Sequence, residues 1–457
     1  MSDASGEPFS NLDQIVQVLI LVYALSWPML NIYLMIKHVN VEGDAMYGEK
    51  PILTTARFTL MCRDHEAATF VWNVPERRVM GRIKTIEAAY LPWGAIDHKG
   101  NTNRKLMARW IAGRSIPALR PRLLGRLRAI GIEDADMLLA LSGGSSLSDQ
   151  YWLRREGSSL TWDDVSFYTN DFDPRLGLYL TSQDSQSTDR LAQEIARNLH
   201  TAVISPDSSL GGNLPKRWKI RRNQRVLVKR SLSAYGQEPM NEVLASSLCE
   251  RLGVAHVPYD AETDGVTWES TCPCMTDYNT ELVSAWHVVC GCNRRDDESR
   301  AAWYKRACAN HGLDVSREVE QMLVVDYIIC NWDRHWSNFG VLVNSETREW
   351  LRPAPLFDMG SSLWCDRTPA QGLGGYVASR EGAPRPFLHR LDDQLGRYCH
   401  DLSWLDPSAL EGFGEEVTER LLQLKFVAVF EGRAEAIGEA VDKRIQRVLH
   451  TLSYLHR

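Results

Sequence analysis

The stretch that most constrains this chain runs from Asp326 to Val343: Asp-Tyr-Ile-Ile-Cys-Asn-Trp-Asp-Arg-His-Trp-Ser-Asn-Phe-Gly-Val-Leu-Val. Met322, Val325, Ile328 and Ile329 recur at helical spacing before the turn, and Phe339 to Val343 reads as a strand after it. The polar turn between them carries Asp333 and Asn338. A second acid, Asp358, follows in Pro355-Leu-Phe-Asp-Met-Gly360, 25 positions on (358 − 333). Phosphoryl transfer needs these parts. One carboxylate accepts the proton of a hydroxyl, while an amide oxygen and a second carboxylate hold magnesium on phosphates. A helix cap at Asp333 and a turn at Asn338 would explain each residue alone, but neither requires the second acid or the lysine that comes earlier.

That lysine ends Arg225-Val-Leu-Val-Lys229, a short apolar strand. Gln237-Glu-Pro-Met-Asn241-Glu242 then opens a helix with Val243, Leu244, Leu248 and Leu252 on one face, stopped by Gly253. A strand lysine paired with a glutamate of the next helix holds the α- and β-phosphates of ATP in protein kinases, so Lys229 and Glu242 are the expected pair. Glu238 is a rival partner, expected outside the helix because it precedes Pro239. Upstream lies Ser208-Ser209-Leu-Gly211-Gly212-Asn213-Leu-Pro-Lys216. Its glycines let backbone approach phosphates and Lys216 adds charge, although a Gly-Gly hairpin is the plainer reading. Val266 to Cys272 sits where a hinge belongs, with backbone near Glu269 and Thr271 facing adenine.

Two families are similar at these positions. Lipid-kinase-like phosphotransferases carry Asp-Arg-His-x-Ser-Asn, here Asp333 to Asn338. HipA-like serine/threonine kinases carry Asn-x-Asp-x-His-x-x-Asn and then Pro-Leu-Tyr-Asp, here Asn331 to Asn338 and Pro355 to Asp358. The HipA-like resemblance extends over about 190–457. Ser209, Gly212 and Lys216 match its loop, Lys229 its strand lysine, Asn241-Glu242 its helix start, and Glu269-Ser-Thr271 its hinge, with threonine replacing an aromatic. It implies an ATP- and magnesium-dependent kinase acting on serine or threonine of a protein acceptor, sometimes paired with a small DNA-binding antitoxin. In that reading Asp333 is the base, Asn338 and Asp358 hold magnesium, Gly211, Gly212, Asn213 and Lys216 line the nucleotide, and His335 faces the nucleotide or a core carbonyl. Ser209 matches the serine such kinases phosphorylate on themselves. A lipid or small-molecule phosphotransferase, and a non-catalytic nucleotide-binding protein, are the alternatives.

The implied fold class is α+β: a bilobal kinase-like fold with a small β-rich lobe at about 190–270 and a large, mostly helical lobe at about 275–457. An N-terminal α/β domain, 35–185, and an apolar extension, 1–34, precede it. Ile52 to Met61 and Thr69 to Val74 read as strands, Asn101 to Ala112 as a helix, and Ser182 to Ser187 as a linker. Arginines 114, 120, 122, 126 and 128 read as a solvated helix face. Leu141 to Phe172 reads as a packed interdomain surface, Thr368 to Pro386 as a mobile loop, and Asp406 to Arg457 as helical.

Composition adds limits. A net charge of −6 argues against a broad nucleic-acid surface. Ten cysteines in 457 residues are too sparse for a disulfide framework and fit free thiols in a reducing, cytoplasmic compartment. Cys272, Cys274, Cys290 and Cys292 supply four thiols for a zinc site, but without the two-residue spacer usual in structural sites. Ile15 to Ile36 is long enough to cross a bilayer, yet Pro28 and Asn31 interrupt it and argue against a span.

Overall fold

Among the described residues, alternating apolar residues build three antiparallel sheets, and each lies beside a different set of helices. The computed structural model describes residues 55–199, 204–233, 235–367 and 386–455. The apolar run Ile15 to Ile36 lies outside them, as does all but the last residue of Thr368 to Pro386. No helix among the described residues is long and apolar enough to cross a membrane.

The first sheet has the order β3 (Arg78–Thr85), β2 (His65–Asn73), β1 (Thr55–Cys62), β4 (Tyr151–Arg155). The expected strands are present, displaced by a few residues. Phe58, Leu60 and Cys62 bury on one face against Met107, Leu127 and Leu138. Met61 turns to the other face, where it meets Trp152 and Trp162. Asn103 starts the helix Arg104–Ala112 by accepting from the backbone N–H of Lys105 at 2.8 Å. The polar stretch expected to be a linker starts a helix instead. Asp184 accepts from Ser187 N at 2.7 Å, and the helix Ser185–Arg197 buries Ile195 in this same core.

The second sheet has the order β5 (Lys216–Arg221), β6 (Gln224–Arg230), β8 (Trp268–Pro273), β7 (Asp260–Thr263). The helix Glu238–Arg251 packs on it and stops at Gly253, whose φ of +62° suits a residue without Cβ. Glu238 is the first residue of that helix, not outside it. Its carboxylate accepts from Leu232 N and Ser233 N, fixing the turn into the helix.

The third sheet has the order β11 (Trp350–Pro353), β10 (Gly340–Asn344), β9 (Thr280–Ser284), and lies beside the helices that make the largest core. Gly340 is needed where β10 meets β9, because a Cβ there would strike the Val283 carbonyl. The β10–β11 hairpin decides the site. Val341 pairs with Pro353, so the loop before β10 and the loop after β11 leave the sheet at the same end. Asn338 and Asp358, 20 residues apart in sequence (358 − 338), are neighbouring segments in space for that reason.

Candidate active site

The loop before β10 is held by a buried acid from the preceding helix. The helix Ser316–Ile328 carries Asp326 in its last turn, and Cys330 reverses the chain with φ +52°. Asp326 accepts from Asn331 Nδ2 at 2.8 Å and takes both Nε and Nη2 of Arg334 at 2.9 Å. Arg334 is fully buried, and its remaining Nη1 donates to the carbonyls of Asn338 and Phe357, each at 2.7 Å. One guanidinium therefore ties the Asp333 loop to the segment that delivers Asp358. Burial disfavours its charge, but Asp326 outweighs that and raises its pKa. Within the loop, Asn331 Oδ1 accepts from Asp333 N at 3.1 Å, and Asn338 Nδ2 donates to the Asp333 carbonyl at 3.2 Å.

Lys229 and Glu242 meet under the second sheet. Lys229 Nζ lies 2.6 Å from Glu242 Oε1, 2.6 Å from Asp358 Oδ1 and 3.1 Å from Tyr259 Oη. Burial works against the lysine charge, but Asp358 and then Glu242 outweigh it and hold its pKa well above the ordinary value. Burial pushes Glu242 upward against the pull of Lys229. For Asp358, Lys229 and then Lys216 overcome burial and lower its pKa, so it stays ionised. Burial brings the Lys216 amine down to about 8, with Asp358 opposing.

The Glu242 helix also fixes the backbone around Asp358. Glu242 Oε2 accepts from Met359 N at 2.8 Å, and Asn241 Nδ2 donates to the carbonyls of Gly360 and Ser362, both at 2.8 Å. Tyr259 Oη accepts from Asp358 N at 3.3 Å. Asp358 itself has φ +57°, a conformation non-glycine residues hold only when their surroundings enforce it.

The glycine loop follows a short 3₁₀ turn, Pro206–Ser209. Ser209 Oγ donates to Ser145 O at 2.7 Å. Lys216 Nζ would lie 2.6 Å from a Cβ placed on Gly212, so loop and lysine are in contact. Arg120 of the N-terminal domain donates from Nη2 to the carbonyls of Leu210 at 2.7 Å and Gly212 at 2.9 Å. This corrects the expectation of a solvated arginine face at Arg114 and Arg120, while Arg122 and Arg128 are exposed as expected. Arg120 is buried on the loop, and Arg114 is buried on Gly144 O, Tyr151 O and Asp149.

The structure separates other expected site residues from this cluster. β6 and β8 pair Lys229 with Ser270, so the flanking Glu269 and Thr271 point to the opposite face of the sheet. There Glu269 accepts from Arg217 Nη1 and Nη2 at 2.8 Å and from Arg230 Nε. Both lie inside a strand paired on each side, so this segment is not a hinge. The link between the two sheets is 274–279. Asn213 is exposed on the glycine loop. His335 is close enough to Asp358 to help hold it ionised. All ten cysteines are free, and no group of three or more His, Cys, Asp or Glu placed to share a metal occurs among the described residues. Cys292 instead accepts from Arg306 Nη1 at 3.0 Å. In the aromatic stretch, Phe167 and Phe172 are buried against Trp218 of β5.

No family model matches the chain, and no curated protein matches it. Among solved structures it is similar to the proinflammatory kinase CtkA of Helicobacter pylori, with 18% identity and a TM-score of 0.40 over 53% of this chain and 95% of that one. It is also similar to a chain of the Shewanella oneidensis MR-1 toxin–antitoxin complex of HipA, HipB and operator DNA, with 11% identity and a TM-score of 0.47 over 87% and 98%. The kinase-like fold stands on the strand order and on the lysine–glutamate–aspartate cluster.

Proposed function

We propose that the chain is an ATP- and magnesium-dependent kinase whose acceptor is a serine or threonine hydroxyl of a protein. The observation that carries this is Lys229 bonded at 2.6 Å to both Glu242 and Asp358, beside a loop that presents Asp333 and Asn338. Asn338 and Asp358 offer the hard oxygens a magnesium ion prefers, the Asn338 amide nitrogen being engaged by the Asp333 carbonyl. Bound there, the ion would neutralise charge on the phosphates. Lys229 and Lys216 supply positive charge to the same phosphates, Glu242 orients Lys229, and Asp333 orients the acceptor hydroxyl and takes its proton. With Glu269 and Thr271 turned away, the adenine-facing backbone is assigned to 274–279. A small DNA-binding antitoxin as partner belongs to this reading on the motif resemblance. Turnover of radiolabelled ATP by the purified chain with magnesium, lost in Asp333→Asn, tests it.

Ser209 is expected to be phosphorylated by the enzyme itself, switching it off. Its hydroxyl is held by Ser145 O and the loop by Arg120, so modification requires the loop to leave. Phosphoserine carries close to two negative charges beside the ATP phosphates, which favours the displaced loop. Intact mass after incubation with ATP and magnesium should show one phosphate, absent in Ser209→Ala and in Asp333→Asn. An unmodified parent, or label persisting in Ser209→Ala, removes the switch.

Arg120 sets the balance of that loop. Arg120→Met removes charge-assisted bonds worth roughly 1.5–3 kcal/mol each at most. The KM for ATP should rise about tenfold, and Ser209 phosphorylation should become faster. Unchanged values for both would mean the loop holds its place without the clasp.

A further inference from the structure

A cleft of about 390 Å³ opens between the N-terminal domain and the kinase-like body, and the cluster described above does not use it. One end is lined by Gly211 and Ser337, from the two loops that bracket the transfer site. Its walls carry Trp93 and Trp110 of the N-terminal domain and Trp286, which is 41% exposed. Trp93 and Trp110 are fixed in place, edge-on to Trp350 and Tyr151 and covered by the guanidinium groups of Arg348 and Arg114. The two bodies are closely packed at this point, because a Cβ on Gly94 would lie 2.5 Å from the His287 ring. The cleft is therefore a rigid, built surface.

Two features select its occupant. The floor is β9, the outer strand of its sheet. Leu282 N donates to Ser148 O at 2.8 Å, away from β10, so by strand alternation the Leu282 carbonyl and the Ser284 N–H also face outward. An outward carbonyl and N–H two residues apart match the backbone of an extended chain. The charges differ along the walls. Asp149 is paired with Arg114, and Glu281 with Arg348 at 2.9 Å. Arg109 lines the cleft, is exposed, and has no acidic partner among the described residues.

We propose that this cleft binds the acceptor as an extended polypeptide segment, with an acidic side chain on Arg109 and a large apolar side chain against Trp286. The N-terminal domain then acts as the acceptor-recognition module. This rests on the kinase reading. In the step served, the acceptor oxygen bonds to the γ-phosphorus while the bond from that phosphorus to the β,γ-bridging oxygen breaks. The electron pair leaves with ADP, and the acceptor proton passes to Asp333.

The full chain, with magnesium and radiolabelled ATP, is presented with an arrayed peptide library around one fixed serine or threonine. Phosphatidylinositol vesicles in phosphatidylcholine form a second arm. Expected is at least fivefold selection for Asp or Glu at one flanking position and for Trp, Phe or Leu at another. Arg109→Glu should reverse the first preference towards Lys or Arg, and Trp286→Ala should flatten the second. A reversed preference cannot arise from a misfolded variant. Label only on vesicles, peptide labelling without an acidic preference, or an unchanged preference in Arg109→Glu overturns the proposal. If the parent binds ATP with magnesium but labels no peptide, this proposal alone fails; if it binds no ATP, the kinase reading falls with it.

Discussion

Asp333→Asn should slow phosphoryl transfer on the order of a hundredfold or more while ATP affinity changes little. Asp333 is not one of the Lys229–Glu242–Asp358 groups proposed to meet the phosphates, and its backbone is held by Asn331 and Asn338, so the amide variant keeps the loop. Asp358→Asn should differ in kind. Asp358 is an ionised acid bonded to Lys229, and it supplies the charged oxygen proposed for magnesium. Its amide leaves Glu242 as the one acid of the cluster bonded to Lys229, so magnesium-dependent ATP binding should weaken together with turnover. Titration calorimetry with and without magnesium, run beside an initial-rate assay, separates the two losses. Parent-like turnover in both variants would end the kinase assignment, and equal losses of affinity in both would end the division of roles.

The site was readable in sequence where a residue type and a spacing both carry chemistry. Asp333, Asn338 and Asp358 belong to that set, as do Lys229 near a strand end and Glu242, the fifth residue of an apolar-periodic helix. Their approach to one another follows from the β10–β11 hairpin and from the helix packing on the second sheet; the periodicity predicts β10 and that helix, while the pairing of β10 with Trp350–Pro353 comes from the structure alone. The side-chain direction of Glu269 and Thr271 is a matter of parity. Strand side chains alternate, and one residue of register decides whether Glu269 faces the cleft or the arginines behind it. Arg114 and Arg120 are buried against the sequence expectation because composition and spacing say nothing of carbonyls contributed from afar. Arg120 is 4% exposed because Leu210, Gly211 and Gly212 turn their carbonyls towards it from 90 or more positions away. Tyr259 and Asn241 were missed as site residues for the same reason: each acts on the backbone around Asp358, which no local pattern records.

Arg334 is the largest structural stake in the site. Arginine is rarely buried, so sequence alone marks it only as the middle of Asp-Arg-His. Here it is fully buried on Asp326 and on two carbonyls, one in each loop that carries a proposed magnesium ligand. Arg334→Met should cost about 3–5 kcal/mol, because Asp326 is left as a buried charge with only Asn331 against it. Asp326→Leu should cost a similar amount by stranding the guanidinium. The double variant Asp326→Leu/Arg334→Met removes both charges, so its stability should recover well above the sum of the two losses. Its turnover should not recover, since nothing then joins the Asn338 carbonyl to the Phe357 carbonyl. Urea unfolding midpoints set against initial rates decide the matter. Additive destabilisation would show that the two residues do not act as a pair. A double variant with parent-like turnover would show that the bridge between the loops has no part in placing Asp333 and Asp358.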